Sequence, residues 1–562
     1  DRSVSRGLGD VYKRQIMKRK AVAAVLTAVM VASMFTGCGS DNGSSSAKSA
    51  SAASAASAAN DTVDEDGKVN GIMYQEGLPL VDEGDYTFSI FCDDSSESGE
   101  FIMLDEFKKQ TNVDVDLKIY PYETATERLN LDLNSGDYAD VIGGWTLSDN
   151  AILTYGVNQG VFIPLEDYFE KYCPNISAIL DLPGVREKMT APDGHIYTIP
   201  YVCGDTTVGY SPYINTKWLE NVGMSMPTTT DEFEAVLKAF KEQDANGNGD
   251  ASDEIPFSTD PNNKHIEAMA GYFGLPMNKL GIAIQDEKVV YGGVSNTYRE
   301  FLSWFHKLYA DGLVDVELYT QDSSTWEGKG NQDLYGVSIA YGSGEFTGIP
   351  AAEERGDFDS MPVLNTDKGG IWLRDTEGFS VYRTQAVITN KAEHPEIICR
   401  WFDNAFALEN GIGCNRGPVG VIVNKEDDGY HAIDTTTLSE EDQEKYSWSN
   451  LWPQSLPKYL PVDFEFVEEH PMYDEKKATE EAYEANLTKE IIPSYWIDLD
   501  KIDTFSDTNT AIKDFFEQQQ AQFVCGELDI DNDADWQAYV DGMYSLGLED
   551  WVATQGIEEI AK

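Results

Sequence analysis

Between residues 85 and 145 the hydrophobic period switches repeatedly, and that switching constrains the fold more than any other feature of the chain. Tyr86 to Cys92 (YTFSIFC) alternates β-branched and aromatic residues as a strand does. FIMLDEFKKQTN then places apolar residues at helical spacing, VDVDLKIY alternates again, ATERLNLDLNSGDY returns to the helical period, and ADVIGGW is an apolar strand. A β-α-β-α-β order joins parallel strands by crossovers and puts helices on both faces of the sheet. Ligands of such sheets sit beyond the carboxyl ends of the strands, where this chain has Ser95, Ser96 and Trp145.

The 562 residues suffice for roughly two to four domains of about 100–200 residues each. Asp and Glu number 98 against 41 Lys and Arg, a formal charge of -57. That balance excludes nucleic acid as a partner, because phosphate binding needs clustered cations, and it disfavours docking on anionic lipid head groups.

Met17 to Cys38 reads MKRKAVAAVLTAVMVASMFTGC. Lys18, Arg19 and Lys20 make a positive n-region, and Ala21 to Phe35 make an apolar h-region shorter than the ~20 residues of a membrane span. The pattern predicts a signal peptide over 17–37, with residues 1–16 a non-native or untranslated extension. The Ser/Ala-rich run beyond it lacks bulky apolar residues and reads as a flexible tether over 38–70, so the folded body starts near Gly71. Phe35-Thr36-Gly37-Cys38 resembles the lipobox of bacterial lipoproteins, with Phe35 in place of the usual Leu. That resemblance implies lipidation of Cys38 and anchoring on the outer face of the cell membrane.

Catalytic signatures are missing: the chain has no HExxH, no GxSxG, no P-loop and no GxGxxG after a strand. The six histidines, His195, His265, His306, His394, His431 and His470, show no metal-ligand spacing and are expected to be structural or solvated. Cys92, Cys173, Cys203, Cys399, Cys414 and Cys525 are scattered without a CxxC pair, which predicts buried free thiols and leaves long-range disulfides open. The chain is therefore expected not to be an enzyme. An extracellular polysaccharide hydrolase or lyase is the alternative, and a receptor for peptides or other solutes is another.

Two groups of residues point to binding. Sugars present flat C–H faces that pack on Trp and Tyr rings, with polar side chains at the edges for the hydroxyls. The candidates are Trp145, Tyr201, Tyr210, Trp326, Tyr341, Trp372 and Trp452, with Asp205, Glu345, Arg374 and Asp375 as polar partners. Trp145, Trp372 and Trp452 lie among polar, Gly or Pro residues, which favours exposure. The second group is Asp244, Asn246, Asn248 and Asp250, with Gly249 in the sixth place and Asp253 and Glu254 beyond. Oxygen side chains at alternate positions round a Gly-bearing turn match the first half of a calcium loop. Glu254 is the eleventh residue rather than the twelfth, and a plain acidic turn capping the preceding helix would read the same way.

The order of segments resembles extracellular solute-binding protein family 1, the lipoprotein sugar receptors of ABC importers, and within it the alginate-oligosaccharide receptors and LipO-like lipoproteins. The matching phrases are GVFIPLEDYFEKYCPN, DGHIYTIPYV, YINTKWLENVGMSMPTTTDEFEAVLKAFKEQDANGNG, ITNKAEHPEIICRWFDNAF and the run from Asp507 to Lys562. The resemblance implies a periplasmic-binding-protein-like (type II) α/β fold of two lobes that close on a ligand in the cleft between them. It places lobe 1 at 71–208 and 386–450 and lobe 2 at 212–380 and 455–562. It also implies a carbohydrate ligand, an ABC permease of transmembrane subunits as partner, a monomer, and structural calcium in the acidic loop.

Overall fold

The computed structural model describes residues 61–561 apart from 95–99, 262–264, 349–355, 434, 462–463, 465 and 468–470. The signal peptide, Cys38, Ser95, Ser96 and His470 lie outside the described residues.

The strand Tyr86–Asp93 (β1) is buried on both faces: Phe88, Ile90 and Cys92 point into one core, Phe91 into another. Two-sided burial is what a strand inside a helix-covered parallel sheet requires. Val113–Tyr120 (β2) and Val141–Gly143 (β3) flank it in parallel, with Ile90 opposite both Leu117 and Val141. The helix Ile102–Thr111 covers one face with Met103 and Phe107, and Tyr122–Ser135 covers the other with Ala125, Leu129 and Leu133 at four-residue spacing.

Thr198–Gly204 (β4) ends this region, and the chain then passes into a second sheet. Its strands are Ser211–Asn215 (β5), Ile255–Thr259 (β6), Tyr335–Ala340 (β7) and Phe358–Ser360 (β8), in the order β8-β5-β7-β6. The helix Thr230–Glu242 packs there through Phe233, Val236, Leu237 and Phe240, and Thr229 Oγ1 caps it by accepting the Glu232 N–H at 3.2 Å. A short strand, Trp372–Arg374 (β9), precedes the return to the first sheet by Phe379–Ile388 (β10). β10 lies antiparallel between β3 and β4, completing the order β2-β1-β3-β10-β4. β9 itself pairs in parallel with Leu487–Ile491 (β11).

Core membership corrects two exposure expectations. Trp372 is 1% exposed, edge-on to Tyr483 at 5.5 Å in the second core. Trp452 is fully buried in the first core, stacked on Trp401 at 5.7 Å. Around Trp372 the polar Asp375 stays exposed while the indole turns inward, whereas around Trp452 the polar Gln454 and Ser455 are themselves buried with it. Trp326 is also core, its Nε1–H donating to Ser338 Oγ at 3.2 Å. The six cysteines are free, with Cys92, Cys173, Cys399 and Cys414 buried, Cys203 half-buried and Cys525 exposed. Among the described residues no helix is long and apolar enough to cross a membrane.

Candidate functional site

Asp205 follows β4 directly, where the chain leaves the first sheet for the second. Its N–H donates to the Gly378 carbonyl at 3.0 Å, so the outgoing and returning segments run side by side here. Its Oδ1 accepts from the Thr206 N–H at 2.8 Å and the Tyr341 hydroxyl at 3.3 Å. Its Oδ2 accepts from Ser380 Oγ and from the Tyr382 hydroxyl at 3.4 Å. Tyr382 and Ser380 belong to the first sheet and Tyr341 follows β7 of the second, so one carboxylate gathers groups from both.

The rings follow from register. Tyr201 and Tyr382 are cross-strand partners in β4 and β10, and their rings stack at 5.5 Å and 20°. Trp145, 45% exposed just beyond β3, stands edge-on to Tyr382 at 5.3 Å. Its N–H donates to Asp93 Oδ1 at 3.0 Å, and the next N–H, of Thr146, donates to Asp93 Oδ2 at 2.6 Å. Gly144 makes this possible: at φ +138° a Cβ there would collide with the Asp93 carboxylate. On the second side, Tyr210 lies flat on His265 at 4.1 Å and edge-on to Tyr341 at 6.1 Å. Burial pushes the His265 imidazole down to about 4, so it is a neutral, flat partner at physiological pH.

Charge is concentrated at the crossing. Lys476, from the helix Pro471–Tyr483, donates from Nζ to the Gly209 carbonyl at 2.8 Å and lies 3.7 Å from the Tyr341 ring centroid. Burial pulls its ammonium down to about 8 against the opposing pull of Glu345, Glu475, Asp205 and Asp375. Asp375 Oδ2 accepts the Gly209 N–H at 2.7 Å. The residue is exposed overall, yet desolvation, with the Asp205 charge, pushes its carboxyl up to about 6. Glu345 accepts the Tyr341 N–H at 2.9 Å, and desolvation holds its carboxyl above the usual range.

Of the residues expected from sequence, Trp145, Tyr201, Asp205, Tyr210, Tyr341, Glu345 and Asp375 therefore come together. Arg374 does not join them: its Nε donates to the Thr488 carbonyl at 3.1 Å and its Nη2 sits 3.4 Å from Glu484. Trp372 and Trp452 are withdrawn into the cores. Tyr382, Lys476 and His265 were missed; the alternation of FSVYRTQAVI could have drawn attention to Tyr382, whereas nothing local marks Lys476. A cavity of about 630 Å³, lined by Asp149, Arg374, Tyr495 and Phe505 among others, shares only Asp375 with this cluster.

The acidic loop forms a tight, self-bonded turn. Asp244 Oδ2 accepts the Gly249 N–H at 2.9 Å, Asn246 Oδ1 that of Asn248 at 3.0 Å, and Asn248 Oδ1 that of Asp250 at 2.8 Å. Glu254 turns back so that Oε1 accepts the Ala245 N–H at 2.8 Å. Two carboxylate oxygens, Asp244 Oδ1 and Glu254 Oε2, are buried with no hydrogen-bond partner. Orphaned hard oxygens on a loop of oxygen side chains are a donor set that fits calcium. Asp253 is differently engaged, accepting the side-chain amides of Asn246 at 3.3 Å and Asn248 at 2.7 Å.

Two α/β sheets with separate cores, and rings and hydrogen-bonding groups converging where the chain crosses between them, define a binding protein of the periplasmic-binding-protein-like (type II) class. Residues 94–411, more than half of the chain, match the family of bacterial extracellular solute-binding proteins, and the chain belongs to that family. It is 31% identical over 411 residues to the fructooligosaccharide ABC transporter substrate-binding protein FusA of Streptococcus pneumoniae, covering 71% of this chain and 70% of that protein. The structure of S. pneumoniae FusA with kestose superposes with a TM-score of 0.74 at 26% identity, over 84% of this chain and 98% of that one. A FusA EF-hand mutant in complex with fructo-nystose gives 0.71 at 27% identity over the same shares.

Proposed function

We propose that this protein is the substrate-binding component of an ABC importer for oligosaccharides, with the fructooligosaccharides as its substrate class. The observation that carries the reading is Asp205, whose carboxylate gathers Tyr382 and Ser380 from one sheet and Tyr341 from the other within a bed of rings. Rings take the C–H faces of sugar units and carboxylates take their hydroxyls. A ligand touching both sides favours the closed arrangement by its differential affinity for it. The name of FusA supports the transporter and the sugar class.

In this reading the lobes follow core membership. Val69, Phe379, Val381, Trp452, Leu456 and Tyr459 pack with the first core, so lobe 1 takes 69–204 and 379–459, and lobe 2 takes 211–374 with most of 475–562. Asp244, Asn246, Asn248, Asp250 and Glu254 would hold a structural calcium ion, and the EF-hand mutation named for FusA supports that assignment. Cys38 carries the lipid anchor, the folded body begins before Gly71, since Val69 is already buried in the first core and the Tyr172 hydroxyl donates to Asp61 Oδ2 at 2.7 Å, and a separate permease of transmembrane subunits receives the sugar from a monomer.

Thermal unfolding of the full chain against fructooligosaccharides, alginate oligosaccharides and peptides tests the function. A sugar present at 100 times its Kd adds about 2.7 kcal/mol and is recovered uncut. Silence across the sugars with a shift from peptides overturns the carbohydrate assignment, and cleaved sugar overturns the receptor.

A further inference from the structure

Two tryptophans among the described residues are exposed, Trp145 at 45% and Trp448 at 55%. Trp448 opens a short turn over Trp448–Asn450, far from Trp145 in sequence. Both segments hang from the carboxyl end of β1, on consecutive residues. Asp93 holds the Trp145 and Thr146 N–H groups. Asp94 accepts the Gln454 N–H at 2.7 Å, and the Gln454 side-chain amide donates to the Trp448 carbonyl at 2.9 Å. The ring series also ends on Trp448. From Trp145 it runs 5.3 Å to Tyr382 and 5.5 Å to Tyr201. Buried Lys458 lies 6.0 Å from the Tyr201 ring and 5.5 Å from that of Trp448, its Nζ donating to Gln454 Oε1 at 2.6 Å. The first two steps are ordinary ring spacings, and Tyr201 and Trp448 are linked through the Lys458 ammonium between them.

We propose that Trp448 is a second stacking platform, separate from the Trp145–Tyr382–Tyr201 bed, which holds the units of a longer oligosaccharide that extend beyond that bed. The inference rests on the sugar-receptor reading and adds a length rule to it. A fixed backbone carbonyl and a buried ammonium 5.5 Å from its ring hold the exposed indole in one orientation, with the rest of the ring open to a ligand. A short sugar fills the first bed; only a longer one reaches Trp448.

Titration calorimetry of the full chain with kestose and with the longer fructo-nystose tests this, using Trp448→Ala, Trp448→Phe and Trp145→Ala. Trp448→Ala is expected to leave kestose within about twofold and to weaken fructo-nystose about tenfold, with Trp448→Phe recovering most of that loss. Trp145→Ala is expected to weaken both sugars. Equal loss of both sugars in Trp448→Ala, or no loss of either, overturns the second platform while Trp145→Ala still reports a sugar receptor. Wild-type protein that binds neither sugar overturns the proposed substrate class and this inference with it. Unchanged unfolding of Trp448→Ala, expected for so exposed a side chain, shows that an affinity loss is not a folding defect.

Discussion

Replacing Glu254 by Gln separates a calcium site from a bare helix-capping turn by the sign of its effect. With calcium chelated, Glu254 Oε1 keeps the Ala245 N–H while Oε2 stays buried with no partner. An unpaired buried acceptor costs about 1–3 kcal/mol. Desolvation raises the Glu254 carboxyl above its ordinary value, the direction expected of such a cost. A carboxyl raised on folding binds its proton more tightly in the folded state, so its ionised form is destabilising at neutral pH and the cost fades as pH falls. Glu254→Gln removes the charge and keeps the acceptor for Ala245. In chelator the variant is therefore expected to match or exceed the wild type, by up to about 2 kcal/mol. In calcium the order reverses. Calcium at 100 times its Kd stabilises the wild type by about 2.7 kcal/mol, and a shell that has lost a carboxylate forfeits most of that gain. Circular dichroism melts of both proteins, each in chelator and in calcium, read the crossing as a few degrees in each direction. A wild type indifferent to calcium, or a variant that gains as much from calcium as the wild type, would refute the site and leave a capping turn.

The other predictions rest on burial and charge. Trp145→Ala, at a 45% exposed ring, should weaken sugar binding at least about tenfold with unfolding unchanged, read by calorimetry. Trp372→Ala should do the reverse: its 1% exposed indole fills the second core, so the loss is about 3–5 kcal/mol of stability, seen in denaturant titration, and an intact fold with lost affinity would contradict the core placement. Asp375 has a folded value of about 6 against an ordinary 3.8, so its ionised form lowers stability as pH rises through that window. Asp375→Asn should melt above the wild type at neutral pH and level with it below about pH 4; a constant offset across pH would rule out the charge as the cause.

The sequence carried what is local. The β1–β3 alternation and its helices read directly because each element's own period decides its buried face. The acidic loop was legible as a Gly-bearing turn of oxygen side chains, since they lie within eleven residues, and only the fold could show Glu254 turning back to Ala245. The cluster around Asp205 was half visible. Trp145 follows a strand end and so was marked, but Trp372 and Trp452 have equally polar neighbours and are core. Pairing decides this: Trp372 sits opposite Leu487, and Trp452 stacks on Trp401, partners that no local pattern announces. Tyr382 and Lys476 join Asp205 and Tyr341 from segments well over a hundred residues away. Such groups meet only through the crossings between the sheets.

β10 also sets a timetable. It lies between β3 and β4, so until residues 379–388 are available, the interior edge of β3 has bare N–H and C=O groups and a buried apolar row facing an empty slot. The intervening second sheet, 211–360, must emerge first. The first sheet is thus begun early in the chain and completed late, and closing it across so long a loop carries a closure-entropy cost. Refolding of the full chain is therefore expected to show its last phase when β10 enters between β3 and β4, later than the phase in which β1, β2 and their helices form.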